Sequence, residues 1–309
     1  MMRKKGIQRI VVLIAILLVL DRTVGYFLDV SYEKNTCDYS NGKLNKFLSL
    51  DPIDTLILGS SRVLHMVDPE LIGAGVKNLA FQQKHIYHNA VVFSLISDAG
   101  KLPNEMLVLN FEMEDLYLQY EQELLDQLYS LKYYYSKNKL AEKLINRKGY
   151  QERIKFLSHI YKHNGDGWKL LAYPMTNLCP EVTSSGYVPL IPSIDDSVRL
   201  AKSLIDDFEL RNYEIINQTT IDLLEYLIST CKQEGIRLKI INGPYYKYHP
   251  EFIKASGYMK RFCSEREIEF TDFNELIIPG LNDKNLWYDN MHLNDSGASI
   301  YSTFLKRNL

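Results

Sequence analysis

Short apolar runs recur along the chain, and each ends at a glycine or a polar residue. Runs of this kind are typical of strands buried in a parallel sheet. Between them lie segments with helical periodicity, so the pattern predicts an α/β fold with three layers, α/β/α, around a five-stranded parallel sheet. The predicted strands are 53–58, 76–80, 106–111, 236–241 and 268–272. The predicted helices are 84–99, 221–235, 251–266 and 296–305.

The stretch from about 116 to 198 interrupts this alternation. It is rich in Tyr, Lys and Leu, has helical patterns at 121–147 and 150–162, and continues in a loop rich in Pro, Ser and Gly. We interpret it as a helical insertion that covers or flanks the functional site. The whole of 53–309 is then one catalytic domain that contains the insertion.

A basic cluster precedes the longest apolar segment of the chain. Arg3, Lys4, Lys5 and Arg9 are followed by an unbroken apolar run at 10–20. This run alone spans about 16 Å as a helix, so the predicted membrane helix extends over 7–30 to cross a core about 30 Å thick. Basic residues stay on the cytoplasmic side, which places the rest of the chain outside. The prediction is a single-pass anchor at 1–32, a connector at 33–52 and an extracytoplasmic domain.

Two other interpretations of this N-terminal segment stay open. A cleaved signal peptide would have the same basic start and short apolar run, although the residues after the run form a poor cleavage site. A buried core helix would also be apolar, but it would leave the basic flank without a role. The anchor accounts for more of the sequence than either alternative.

Charge and cysteine content narrow the function. Lys and Arg total 36 against 38 Asp and Glu, so there is no basic excess to neutralise phosphates and no nucleic-acid partner is expected. The 22 tyrosines suit a sugar-binding surface as well as a core. Cys37, Cys179, Cys231 and Cys263 lack zinc spacing, and no metal site is predicted. Cys231 and Cys263 fall in predicted helices and are expected to be buried thiols.

Two sequence blocks carry the candidate chemistry. In LILGSSR (56–62) the first strand ends at Gly59 and is followed by Ser60 and Ser61. In WYDNMHLNDSGA (287–298) Asp289 lies three residues before His292, just ahead of the last helix. Each block alone is also what a helix-capping turn requires. Together, at the edge of the sheet where functional sites form, they predict a nucleophile, a base and a carboxylate that orients the base.

With these blocks the chain resembles the SGNH (GDSL-type) hydrolases and acyltransferases of the membrane-anchored, extracytoplasmic bacterial type. Gly59-Ser60-Ser61 matches a G-S-S variant of the family's G-D-S block, which assigns the nucleophile to Ser61. Asp289 and His292 match its D-x-x-H block. The resemblance covers 53 to about 305, except for the insertion. It implies a flavodoxin-like sheet and a catalytic triad that needs no cofactor.

The inner blocks of the family are matched less well. Asn78 begins a stretch like N-x-x-x-x-G, but Gln83 stands where the family has the glycine that helps to bind the oxyanion. Glu114 falls near the family's asparagine, and a carboxylate there would repel an oxyanion. The expected oxyanion-binding and substrate-binding residues are Gly59, Ser60, Arg62, Asn78, Gln83, Tyr246 and His249. Arg62 is open to a second interpretation, as the partner of an acid, and the 245–249 loop to a second one, as packing on the following helix.

The resemblance also implies a reaction. It is the transfer of an acyl group, first of all acetyl, to an envelope or secreted polysaccharide through an acyl-enzyme on Ser61. In the family's anchored members a multispanning membrane O-acyltransferase delivers the acyl group. One alternative is a carbohydrate esterase, in which water takes the place of the sugar. The other is an inactive subunit that binds or assembles polysaccharide.

Overall fold

The computed structural model describes residues 2–36, 41–51, 53–165, 167, 170, 185–192, 196–205 and 215–309. The chain divides into two compact units, one formed by 1–45 and 128–180 and the other by 46–127 and 181–309. Cys37 and Cys179 lie outside the described residues. Cys231 and Cys263 are free and buried, which confirms the prediction of buried thiols.

Five parallel strands form the sheet of the second unit. They are β1 (Thr55–Leu58), β2 (Val76–Asn78), β3 (Met106–Asn110), β4 (Arg237–Asn242) and β5 (Glu269–Asp272). Their order is β2-β1-β3-β4-β5, and every neighbouring pair is parallel. This is the flavodoxin-like order, in which the direction of winding reverses between β1 and β3. The predicted five-stranded α/β fold is therefore confirmed.

Twelve α-helices are present among the described residues. Their bounds are α1 (Met2–Lys34), α2 (Asn41–Leu48), α3 (Ser61–Met66), α4 (Pro69–Ile72), α5 (Ile86–Asp98), α6 (Glu121–Gln127), α7 (Lys139–Ile145), α8 (Tyr150–Lys155), α9 (Asp196–Ile205), α10 (Gln218–Glu234), α11 (Pro250–Ser264) and α12 (Asp295–Lys306). Short 3₁₀ turns lie at Met113–Leu116, Leu118–Tyr120, Leu128–Tyr134, Asn146–Lys148, Ile160–His163, Phe273–Glu275 and Lys284–Leu286.

The strands are apolar throughout because helices cover both faces of the sheet. Leu56, Ile57 and Leu58 in β1 have no exposed surface, and neither have Leu107 and Val108 in β3. The burial of continuous apolar runs is the largest favourable term in folding such a layer. Because the strands are parallel, their polar carboxyl ends lie together at one edge of the sheet.

The predicted helices of the insertion are wrong in their length. The pattern at 121–147 becomes α6, a 3₁₀ turn and α7, and the pattern at 150–162 becomes α8 and a second 3₁₀ turn. Asn138 starts α7 afresh, since its side chain accepts a hydrogen bond from the Ala141 N–H at 2.9 Å. Gly149, at φ +114°, separates α7 from α8.

The N-terminal helix α1 has an exposed apolar surface. Its side chains from Ile10 to Leu20 include the largest run of exposed hydrophobic residues among those described. By length and composition, α1 is the one described helix able to cross a membrane.

Candidate active site

Ser61 is the first residue of α3, directly after the end of β1. Gly59 makes this turn possible because it packs closely. A Cβ at Gly59 would lie 2.8 Å from the Val63 side chain and 3.1 Å from that of Asn110. Ser60 caps α3, since its Oγ accepts from the Arg62 N–H at 3.2 Å. Ser61 therefore lies partly exposed at the carboxyl edge of the sheet, where the winding reverses.

The structure brings Ser61, His292 and Asp289 together. His292 Nε2 lies 2.9 Å from Ser61 Oγ. His292 Nδ1 lies 2.9 Å and 3.0 Å from the two carboxylate oxygens of Asp289. The ionised carboxylate can only accept, so Nδ1 carries the proton and Nε2 is free to accept from the serine hydroxyl. This is the arrangement of a serine nucleophile, a histidine base and an orienting acid.

Asp289 holds the turn that carries His292. Its Oδ1 accepts from the backbone N–H groups of Met291 at 2.8 Å and His292 at 2.9 Å. An antiparallel bridge between Trp287 and Leu293 closes the turn. Burial would raise the pKa of Asp289, but the hydrogen bonds from the His292 ring and from these backbone groups outweigh it and hold the pKa below its usual value. Asp289 thus stays ionised beside the imidazole.

Asn290, between the acid and the base, fastens this turn to two other segments of the same unit. Its backbone N–H donates to Ser203 Oγ at 2.9 Å. Its side-chain oxygen accepts from the Lys247 N–H at 2.8 Å, and its carbonyl accepts from the Tyr246 N–H at 3.0 Å. The loop after β4 therefore supports the turn that positions His292.

Arg62 is buried and engaged within the protein. It is 3% exposed, and its guanidinium donates to the Glu112 carboxylate at 2.6 Å. It also donates to Asn242 Oδ1 at 3.2 Å and to the carbonyls of Gly243 and Pro244. The prediction that Arg62 binds substrate is corrected. It is the partner of an acid, which was the second interpretation.

Glu112 joins the ends of β1 and β3. Its Oε1 accepts from Ser60 Oγ at 2.5 Å and from Asn110 Nδ2 at 2.8 Å. Burial would raise the pKa of Glu112, but the Arg62 guanidinium outweighs burial and lowers it. Ser60 is 2% exposed with its hydroxyl committed to this carboxylate, so its predicted role in substrate binding is corrected to a structural one.

Asn78 and Gly59 are also structural. Asn78 is 2% exposed, and its side chain donates to the carbonyls of Val63 and Val67 at 2.8 Å and 2.9 Å. Its oxygen accepts from the Ala80 N–H at 3.0 Å. Gly59 is buried in the close turn described above. Their predicted contact with substrate is corrected, because the Asn78 side chain is committed to backbone groups and Gly59 is buried with its carbonyl bonded to the Phe81 N–H.

Gln83, which stands where the family's pattern has a glycine, adopts a backbone conformation that glycine favours. Its φ is +53°, in the left-handed region that glycine favours. The Phe81 N–H donates to the Gly59 carbonyl at 3.3 Å, which sets this turn beside the start of α3. His65 links the same turn to the base, since its Nε2 lies 2.9 Å from Gln82 Oε1 and its ring centre 5.8 Å from that of His292. Gln83 thus lies on the turn next to Ser61 and His292.

A second charged cluster follows β3. His85 Nδ1 lies 2.7 Å from the Asp115 carboxylate. Burial would lower the pKa of His85, but Asp115 outweighs burial and raises it to about 10. Burial and the nearby Glu112 carboxylate raise the pKa of Glu114 to about 7. A proton on Glu114 removes the charge that was expected to repel an oxyanion.

The predicted residues after β4 separate into two roles. His249 caps α11, since its Nδ1 accepts from the Glu251 N–H at 3.2 Å, and its predicted contact with substrate is corrected. Tyr246 is 36% exposed and packs edge-on against Trp287 at 5.7 Å. Tyr246 and Trp287 line a cavity of about 530 Å³, together with Tyr245, Tyr248 and Asn274.

Sequence reasoning missed the polar residues that support the site. Asn110 ends β3, Glu112 follows it by two residues, and Asn242 ends β4. Their signal was available, because each is a polar residue at the end of a buried strand or within two residues of it. No group of three or more potential metal ligands lies together in the part of the chain that the structure describes.

Comparison with known proteins gives likeness only to solved structures. No family model and no curated protein matches the chain. It is similar to a "putative acylhydrolase" from Bacteroides fragilis NCTC 9343, with a TM-score of 0.43, 11% identity and coverage of 88% of this chain and 96% of that chain. It is also similar to a GDSL-like lipase from Bacteroides thetaiotaomicron VPI-5482, with a TM-score of 0.41, 8% identity and coverage of 89% and 98%. Both scores are below 0.5, and neither likeness establishes a function.

We expect Arg62→Met to destabilise the protein by about 3–5 kcal/mol, because it leaves Glu112 buried and unpaired. The control is Arg237→Met, which breaks an ion pair with Glu269 whose side chains are 47% and 48% exposed. This control should cost less than about 1 kcal/mol. Urea denaturation of both variants measures the difference, and equal costs would contradict a structural role for the buried pair.

Glu114 should make stability depend on pH. Its pKa is about 7 in the folded protein against 4.5 in the unfolded chain, so the folded state binds the proton more tightly. This contribution to the free energy of unfolding is fully present below pH 4.5 and is lost as pH rises through 7. The free energy of unfolding of Glu114→Gln, relative to that of the parent, should be about 2–3 kcal/mol higher at pH 8 than at pH 5. The exposed Glu105→Gln is the control, with a change of less than about 0.5 kcal/mol. If the urea midpoints of the parent and of Glu114→Gln change equally between pH 5 and pH 8, the assignment is wrong.

Proposed function

We propose that this chain is a serine-dependent acyltransferase of the SGNH type. The observation that carries the proposal is the hydrogen-bonded series from Ser61 to His292 to Asp289. A serine hydroxyl is a weak nucleophile until an adjacent base accepts its proton. Here the base lies at hydrogen-bond distance and its tautomer is held by an ionised carboxylate.

The reaction has two halves. In the first, Ser61 Oγ attacks the carbonyl carbon of an acyl ester while His292 Nε2 takes the hydroxyl proton. The tetrahedral intermediate collapses to the Ser61 ester, and His292 returns the proton to the leaving alcohol. In the second, a hydroxyl of the acceptor gives its proton to His292 and attacks the ester carbonyl; the tetrahedral intermediate collapses by breaking the bond to Ser61 Oγ, and His292 returns the proton to that oxygen.

The turn at Gln83 suits the oxyanion of this reaction. A tetrahedral intermediate needs N–H donors fixed before the charge develops. Gln83 holds a left-handed φ on the turn beside α3, as the glycine of the family would, so its backbone N–H is our candidate donor. Glu114 does not oppose this role while it is protonated.

We further propose that the acyl group is acetyl and the acceptor an envelope or secreted polysaccharide. The cavity lined by Tyr246 supports this, because aromatic faces with nearby amide groups suit sugar rings. The Tyr246 N–H donates to the carbonyl of Asn290, the residue next to Asp289, and Trp287 in the cavity wall lies two residues before Asp289. The cavity therefore adjoins the catalytic turn, and Ser61 and His292 lie outside its wall. An esterase would share the same acyl-enzyme, with water in place of the sugar.

The apolar length of α1 supports anchoring in a membrane. We propose a single-pass anchor with the catalytic domain on the extracytoplasmic face of a bacterial membrane. There the acyl donor would come from a multispanning membrane O-acyltransferase. Polysaccharide, that transferase and the membrane are the proposed partners.

The assignment of the triad predicts a set of rates on p-nitrophenyl acetate, measured with the full chain in detergent. Ser61→Ala and His292→Ala should each lose about 10³-fold or more, since members of one catalytic unit fail together. Asp289→Asn should lose about 10²-fold or more because the tautomer is no longer fixed. Ser299→Ala, at an exposed serine of α12, is the control and should keep the parent rate.

A serine-directed phosphonate and an oligosaccharide separate the remaining outcomes. The phosphonate should label Ser61 in the parent and in Ser60→Ala, and a label on Ser60 would contradict the assignment. With oligosaccharide added, a transferase forms an acetylated sugar while acetate release falls. Acetate alone would indicate an esterase. If neither an acetylated sugar nor acetate forms, the inactive binding subunit is the remaining interpretation.

Substitutions at Gln83 test the proposed oxyanion donor. Gln83→Gly should keep activity, because glycine adopts the left-handed φ without strain. Gln83→Val should lower kcat by about 10-fold or more, because a β-branched residue displaces the backbone N–H from that conformation. Lys77→Val, on β2, is a control for the introduction of a valine at a position with a negative φ. Equal kcat for Gln83→Gly and Gln83→Val would mean that the backbone at this position does not contact the oxyanion.

A further inference from the structure

One face of α1 packs against the insertion beyond the exposed apolar run. Gly25, Leu28 and Tyr32 are buried, and their spacing places them with Asp21 on one side of the helix. A Cβ at Gly25 would lie 2.5 Å from the Cβ of His159, so only glycine allows this close approach. The contact fixes the position of the segment around His159 along α1.

Asp21 is held by the segment 157–160. Its carboxylate accepts from Ser158 Oγ at 2.5 Å, from the His159 N–H at 2.8 Å and from the Ile160 N–H at 3.3 Å. The next residue, Arg22, donates to the Leu157 carbonyl at 3.1 Å. The segment 157–160 therefore lies at the same height along α1 as Asp21.

The length of α1 places this height inside the bilayer. Between Lys5 and Asp21 the helix rises only about 24 Å, and the hydrocarbon core of a membrane is about 30 Å thick. A helix that crosses the core must therefore extend past Asp21. The exposed side chains of Val24, Tyr26 and Phe27 continue the apolar surface in that direction. An aspartate at this depth is tolerated only with its hydrogen bonds satisfied, as those of Asp21 are.

The segment at the height of Asp21 exposes an apolar face of its own. Tyr150 is 74%, Ile154 48% and Leu157 70% exposed; the first two lie one turn apart on α8, and Leu157 lies in the turn that follows it. Large exposed apolar patches mark surfaces that are covered in use. Arg147, Lys148 and Arg153 accompany them, while Lys155 pairs with the buried Glu152, the single acid of 147–157, at 2.6 Å. Apolar and basic side chains in this combination suit the interface of an anionic bilayer.

We infer that residues 150–160 form an interfacial segment that enters the same bilayer as α1. Ile154 and Leu157 then lie among the acyl chains, the basic side chains meet lipid phosphates, and Ser158 with the N–H groups of 159 and 160 supplies Asp21 with the hydrogen bonds that water cannot provide there. The inference rests on the proposed membrane anchor. It adds a second contact of the protein with lipid.

The test places a tryptophan on the segment. Full-length protein carrying Leu157→Trp is reconstituted into vesicles of phosphatidylcholine and phosphatidylglycerol, with or without bromine on the acyl chains. The control is Ser136→Trp, at an exposed residue beside Lys137, which pairs with Glu33 at 3.0 Å. Glu33 lies about 18 Å beyond Asp21 along α1, outside the core. Fluorescence of each variant is measured as the difference from the parent, which keeps Trp168 and Trp287.

Brominated chains should reduce the added fluorescence of Leu157→Trp about two-fold or more and leave that of Ser136→Trp unchanged. Ile154→Trp should behave like Leu157→Trp. Flotation of the vesicles in a sucrose gradient tests the anchor separately. Protein that floats without quenching at 154 and 157 would overturn the inference and leave the anchor standing. Protein that does not float would overturn both.

Discussion

The ion pair between Arg62 and Glu112 is the interaction on which the rest of the site depends. Both side chains are 3% exposed, and each would be a costly buried charge without the other. Arg62 follows β1 and Glu112 follows β3, so the pair connects the two strands between which ligands bind in sheets of this order. Arg62 also reaches Asn242 at the end of β4, which extends the same network across the sheet.

This network leaves Ser61 with little freedom. The residues on either side of it, Ser60 and Arg62, both bind the Glu112 carboxylate. His292 reaches Ser61 from 231 residues further along the chain, on a turn closed by Asp289. A nucleophile and a base held in this way have already lost the conformational entropy that their reaction would otherwise require. The packing of the sheet during folding compensates for this loss of conformational entropy.

Much of the fold and the three residues of the triad could be predicted from the sequence. Buried parallel strands are continuous apolar runs, and Ser61 and His292 stand where such a sheet presents its functional edge. The roles of Arg62, Ser60 and Asn78 could not be predicted, because a motif gives a position in the chain and not the direction of a side chain. All three point into the protein, where buried polar groups need partners. The helices of the insertion were overestimated for a related reason, since periodicity does not show where a cap such as Asn138 starts a new helix.

The sequence by itself determined the strands, the apolar length of α1 and the chemical types at the site, because these depend on composition and spacing within short segments. Only the tertiary structure decided which polar residue meets which. Glu112 pairs with Arg62, Gln83 takes a left-handed φ, and the Asp21 carboxylate accepts hydrogen bonds from residues 158–160 of the insertion. The Arg62–Glu112 pair and the hydrogen bonds of Asp21 join segments far apart in the chain, because leaving a buried charge or N–H group unpaired costs free energy.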